Sequence, residues 1–177
     1  MPVAAHQGFR TVSQANNDAG MRQFIASVLL LALTLPAQAE TVLVRVLNFT
    51  ADWCPNCRIL EPNLDAALAA MPQGRAQRID LDVTAFRTGT SQEASEALVD
   101  VKAKLAQAKA DVLWEYYAGI TGVVVLVAAD TGEPLRCFSR LQDEAAMTAG
   151  LADAILRVTR EVPGERYRPG TVPPDCP

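Results

Sequence analysis

Residues 41–60 read TVLVRVLNFTADWCPNCRIL. Up to Phe49 the run is β-branched and apolar, with a partial alternation broken only by Arg45 and Asn48, which suits a buried or half-buried strand. Beyond Cys54, the apolar residues Ile59, Leu60, Leu64, Leu68 and Met71 recur at helical spacing until Pro72-Gln73-Gly74 ends the pattern. Pro62 falls inside that helix and is expected to kink it, because proline removes a backbone donor and clashes with the preceding turn. The cysteines of Trp53-Cys54-Pro55-Asn56-Cys57 thus fall at the C-terminal end of a strand and in the first turn of a helix. A helix N-terminus offers unpaired N–H groups and the positive end of a dipole, which stabilise a thiolate at Cys54. The second thiol, one turn along, can attack a mixed disulfide formed by the first.

Working outward, Arg78 to Val83 alternates strictly and puts Ile79, Leu81 and Val83 on one face of a second strand. Thr90-Ser91-Gln92-Glu93 is a capping box, with Thr90 as N-cap and Glu93 reaching back to its amide. In the long amphipathic helix that follows, Ala94, Leu98, Val101, Leu105, Ala108 and Val112 form the apolar stripe, with Lys102, Lys104 and Lys109 off it. A stripe of this length reads as a face packed on the protein's own sheet, or as a seam for a partner helix. Val123 to Val127 is a wholly apolar strand, Asp130-Thr131-Gly132-Glu133 turns the chain into a last strand, Leu135 to Phe138, and Asp143 to Val158 forms a closing helix. Alternating strands and helices followed by a hairpin imply an α/β fold, a central mixed β-sheet flanked by helices on both faces.

Toward the N-terminus, Phe24 to Leu35 (FIASVLLLALTL) carries no charge. It is too short to span a bilayer, which takes about 20 apolar residues. Met21-Arg22 before it and Pro36-Ala37-Gln38-Ala39 after it supply the basic region and the Ala-x-Ala site of a cleavable secretory signal. Residues 21–39 are therefore read as a signal peptide, residues 1–20 as an N-terminal extension, either upstream of a true start at Met21 or a long basic region of the signal, 40–161 as the folded domain, and 162–177 as a Pro-rich tail without a core. The expected destination is the periplasm, where disulfides persist.

Composition narrows the chemistry. A net charge of −4 with no basic block leaves nucleic-acid binding without a foothold. The single histidine, His6, precedes the folded domain, which removes histidine acid/base catalysis and histidine-ligated metal sites together. Cysteine is what remains. A lone Cys-x-x-Cys is also half of a zinc knuckle, but Cys137 and Cys176 are 39 residues apart and form no second pair of that kind. Cys137, in the last strand, is expected to be a buried small hydrophobe. Cys176 can pair with Cys137, bridge two molecules, reach the cysteine motif, or be an incidental thiol.

Phe49 to Cys57 resembles the strand plus Trp-Cys-x-x-Cys of the thioredoxin superfamily. Pro62 matches the proline of that family's active-site helix, and Gly119-Ile120-Thr121-Gly122-Val123-Val124-Val125, followed by Gly132-Glu133, tracks its Gly-Ile-x-Gly-x-Pro-Thr strand and hairpin. The likeness covers roughly Val42 to Val158, and the wording TADWC is most similar to the C-terminal periplasmic domains of DsbD-type electron transporters. It implies a thioredoxin-like fold and a thiol-disulfide oxidoreductase without a cofactor. Cys54 would be the exposed low-pKa thiol and Cys57 the resolving one, Trp53 would shield them, and Pro55 and Asn56 would help set the potential. Partners would be protein thiols or disulfides and a membrane electron transporter of the DsbD or CcdA type.

Three departures accompany the resemblance. Val124 stands where the family has a cis-proline that pairs with substrate backbone; a cis bond before a non-proline residue costs about 2.5–4 kcal/mol, so a trans bond is expected. Asn48 stands where thioredoxin has the buried carboxylate that assists the second cysteine, and an amide cannot serve as that base. The chain is also longer than a minimal thioredoxin between Cys57 and Val124, around Thr84 to Trp114, a stretch that either carries partner specificity or is padding. With neither histidine nor lysine between the cysteines, a reducing or intermediate role is favoured over an oxidising one. The alternative is a redox-inactive binding module, for a protein or for a soft metal ion such as Cu(I) or Zn²⁺, in which Cys54–Cys57 is a structural disulfide.

Overall fold

The structure is a computed structural model, and it describes residues 41–168. The expected extension 1–20, the signal peptide 21–39, the end of the tail, His6 and Cys176 lie outside those residues.

The apolar run at the start of the domain becomes β1 (Val44–Thr50), an interior strand of the sheet. It pairs in parallel with β2 (Ala76–Asp82) and antiparallel with β3 (Val123–Ala128), which pairs antiparallel with β4 (Pro134–Ser139), giving the order β2-β1-β3-β4. The parallel pair needs a crossover, and α1 (Pro55–Ala69) supplies it. Every residue of β3 is buried, as a wholly apolar strand requires when helices cover both faces. On one face Leu47, Phe49, Leu81 and Val125 pack with Val101 and Leu105 of α3 (Ser91–Gln107) and with Leu113 and Tyr117 of α4 (Leu113–Tyr117). On the other, Val46, Leu126 and Phe138 pack with Leu60 and Leu64 of α1 and with Met147 and Leu151 of α5 (Glu144–Arg160). The expected α/β architecture, a mixed sheet between two helical layers, is what forms. A one-turn helix, α2 (Ala85–Thr88), precedes α3.

Both arms of the expected capping box are made: Thr90 N–H donates to Glu93 Oε2 at 2.6 Å and Glu93 N–H to Thr90 Oγ1 at 3.3 Å. The stripe of α3 faces the sheet, with Val101, Leu105 and Ala108 buried in its core, so it is not a seam for a partner helix. Its far end departs from the pattern. α3 stops at Gln107, Lys109 takes φ 59°, and Val112 is exposed while Leu113 turns inward. Lys109 N–H bonds Ala106 O and Ala110 N–H bonds Leu105 O, both at 2.9 Å. That is a Schellman stop with lysine in the left-handed position where glycine is usual.

The C-terminal segment also differs from the coreless tail expected from Val162 onward. Arg166 is only 2% exposed. It donates to both carboxylate oxygens of Asp130, at 2.7 and 3.0 Å, and to Val158 O and Glu161 O, while Glu133 accepts from Gly164 N–H and Arg166 N–H. A polar, proline-rich composition hides this, because the anchor is one side chain whose partners lie far back in the chain.

Candidate active site

Cys54 caps α1. Its Sγ accepts the Cys57 N–H at 3.1 Å, and Pro55 occupies the first helical position, where its missing N–H costs nothing. Cys54 and Cys57 form a disulfide with Cα atoms 5.4 Å apart. Once the bond opens, the same amide and dipole face the sulfur, so the helix start stabilises the thiolate of Cys54 over its thiol. Both cysteines are enclosed, at 2% and 3% exposure, among Phe49, Ala51 and Val123, so Cys54 is not the exposed thiol expected: the disulfide and the close approach of Gly122 cover it. Pro55 and Asn56, between them, are exposed.

The walls are built by polar contacts of the loop after β2. Asp82 holds Thr84, Asp52 N–H donates to Thr84 Oγ1 at 2.9 Å, and Trp53 Nε1–H donates to Thr84 O at 3.1 Å. Arg87 lies over the Trp53 ring at 5.2 Å, and Arg58 donates to Asp52 O. Trp53 is thus fixed beside Cys54 by its indole N–H and by a stacked cation. On the opposite wall Gly122 has φ +77°, and a Cβ there would stand 2.7 Å from Asn56 Cβ and 3.5 Å from Cys54 Sγ. Only glycine lets this loop approach so closely. Val124 does not line the pair: it lies within β3, opposite Asn48 and Phe138, and is buried in the core layer of α1 and α5. Its neighbour Val123 shares the cluster of the cysteines. Pro62 is accommodated within α1.

Beneath the pair, Asn48 is fully buried and donates to Asp80 Oδ1 at 2.8 Å and to Glu61 Oε1 at 3.3 Å. Glu61 Oε1 also accepts from Thr50 Oγ1 at 2.6 Å. Glu61 is one helical turn beyond Cys57, on the same side of α1. Arg78 bridges Asp80, Asp65 and Glu61. Burial works against its charge, but the Asp80 hydrogen bond and the three carboxylates outweigh it and raise its pKa. Asn48 Oδ1 has no hydrogen-bond partner among the described residues. A carboxylate therefore does stand beside Asn48, four residues beyond Cys57 on the helix rather than on β1. Sequence reading missed Glu61, and the four-residue spacing from Cys57 was the available signal.

Cys137 is buried as expected, but it is disulfide-bonded, and its Sγ lies 3.9 Å from Tyr117 Oη. Burial pushes the Tyr117 hydroxyl up to about 12. Among the described residues no three His, Cys, Asp or Glu side chains gather as metal ligands.

Residues 35–98 match the thioredoxin family model. The fold is thioredoxin-like. The matched residues run from before β1 into α3 and contain both cysteines, Asn48, Glu61 and Pro62. Among solved structures, the thioredoxin-like domain is similar to Trxlp from Edwardsiella tarda EIB202, at 16% identity over 71% of this chain and 91% of that one, with a TM-score of 0.36. It is also similar to a thioredoxin-related protein from Neisseria meningitidis serogroup B, at 17% identity over 70% and 90% of the two chains, with a TM-score of 0.39. No curated protein matches the chain.

Proposed function

We propose that the protein is a periplasmic thiol-disulfide oxidoreductase that exchanges disulfides with protein partners through Cys54 and Cys57, in a reducing or intermediate role. The observation that carries this reading is Cys54 Sγ serving as the N-cap of α1, bonded both to the Cys57 amide and to Cys57 Sγ. In the reducing direction, the Cys54 thiolate attacks a partner disulfide, forming a mixed disulfide and releasing one partner thiolate. Cys57 then gives up its proton and attacks Cys54 Sγ, which releases the second partner thiolate. Two electrons pass to the partner, and the protein closes its own disulfide. Asn48 cannot take the Cys57 proton, so Glu61, hydrogen-bonded to Asn48 and Thr50 one turn away, receives it and later passes it to a departing thiolate. The protein is re-reduced by a membrane electron transporter of the DsbD or CcdA type, a partner drawn from the TADWC likeness alone.

The test is a redox titration of the whole domain, with the state of the Cys54–Cys57 peptide read by trapping and mass mapping. A reversible two-electron transition between about −270 and −120 mV is expected. A pair that stays oxidised below about −300 mV is a structural disulfide and ends this reading.

A further inference from the structure

A cleft of about 330 Å³ opens beside the disulfide, between Asn56 and Gly122 on one side and the turn that follows β4 on the other. That turn is rigidly built. Ser139 N–H donates to Gln142 Oε1 at 2.7 Å, Gln142 N–H to Ser139 O at 3.2 Å, and Leu141 N–H to Ser139 Oγ at 3.3 Å. Yet what it presents is a leucine 70% exposed and an arginine, with Ile120, 46% exposed, across the cleft. A fixed turn that leaves a large aliphatic side chain in water next to a reactive sulfur marks a contact surface rather than a loose loop.

Arg140 gives the surface a sign. It makes no ion pair or hydrogen bond among the described residues. The nearest acid along the chain, Asp143, is occupied in accepting Ala146 N–H at 2.8 Å as the N-cap of α5. The other two arginines around the motif are committed elsewhere, Arg87 to the Trp53 ring and Arg58 to Asp52 O. In a chain of net charge −4, the cleft beside Cys54 thus holds a cation with no partner among the described residues.

We propose that in this cleft Arg140 selects partner segments with a carboxylate beside the reacting cysteine. The proposal rests on the exchange reading above. An aliphatic neighbour of the partner's cysteine covers Leu141 and Ile120, and its carboxylate pairs with the guanidinium. Because the pair is at the rim, its effect falls with salt and acts largely through encounter.

The test uses the whole reduced protein with three disulfides. Two are peptides of one sequence carrying either glutamate or lysine beside the cysteine, and the third is neutral hydroxyethyl disulfide. At low salt the glutamate peptide should react about threefold to fivefold faster than the lysine peptide, the size of an exposed ion pair. Arg140→Glu should reverse that preference, 1 M salt should erase it, and the hydroxyethyl disulfide rate should stay unchanged. Equal rates for the two peptides, or a preference that survives in Arg140→Glu, would overturn the proposal while hydroxyethyl disulfide still reacts. If all three disulfides are inert, it is the exchange reading that fails, and the assignment of Arg140 falls with it.

Discussion

Of the networks that hold arginine against carboxylates in this domain, the one under the cysteines and the one at the β3–β4 hairpin are completed differently. At the hairpin, all three guanidinium nitrogens of Arg166 donate: Nη1 and Nη2 to Asp130, Nη2 also to Val158 O, and Nε to Glu161 O. Under the cysteines, Arg78 is equally well supplied, but the buried amide it helps to frame is not, since Asn48 Oδ1 is unmatched among the described residues. A satisfied network fixes structure; a buried polar group left short is where function or strain is stored. The contrast divides labour: the hairpin clamp should govern stability and the Asn48–Glu61 cluster should govern turnover.

The strongest way to break that division is to remove the sulfur. Cys54→Ser should abolish disulfide exchange with hydroxyethyl disulfide, while the domain stays folded by circular dichroism because serine is itself a good N-cap. Exchange persisting in that variant would place the chemistry elsewhere. Next in size, Arg166→Ala should cost about 3 kcal/mol of unfolding free energy, since it leaves Glu161 O and Val158 O without a donor and Asp130 without its cation. Its exchange rate per folded molecule should match the wild type, and a denaturant titration beside an activity assay reads both.

Glu61→Gln should do the reverse. Exchange should slow on the order of tenfold near neutral pH and recover at alkaline pH, less than the ~10²–10⁴ of a general base without rival, because solvent also takes the proton. A uniform loss at every pH would mean that Glu61 only positions α1. The smallest effects come from titration. The Tyr117 hydroxyl is raised by burial, so the folded state holds its proton when the unfolded chain has lost it. Stability should therefore decline as pH rises from about 10 toward 12, and Tyr117→Phe should flatten that slope. Asp130 is shifted the other way, held down by the Arg166 hydrogen bond, so the clamp's share of stability should fade as pH drops through the acid range.

Most of the fold was legible because its signals are local. The strict alternation of 78–83, the capping box at Thr90 and the apolar run 123–127 each carry their own period or spacing. The motif at Cys54 was legible for the same reason: strand, turn and helix start are contiguous. What escaped depends on distance along the chain or on one dihedral angle. Arg166 meets Asp130 across 36 residues, Glu61 meets Asn48 across 13, and no composition window spans either pair. The end of α3 was read too far because Lys109 fits the helical pattern while adopting a left-handed φ that lysine rarely takes. Val124 aligned with a site position but lies in a core layer, since β3 continues through it without a break.

That lysine has a consequence for how the molecule opens. Its ammonium donates to Asp130 O, its carbonyl lies where a Cβ on Gly132 would collide, and Asp130 is also the partner of Arg166. The end of α3, the β3–β4 hairpin and the C-terminal segment are consequently joined through a few residues. Local unfolding of any one of them releases the others, so the amides of Ala110, Gly132 and Arg166 should exchange with deuterium as one cooperative unit, at a rate independent of whether Cys54 and Cys57 are bonded.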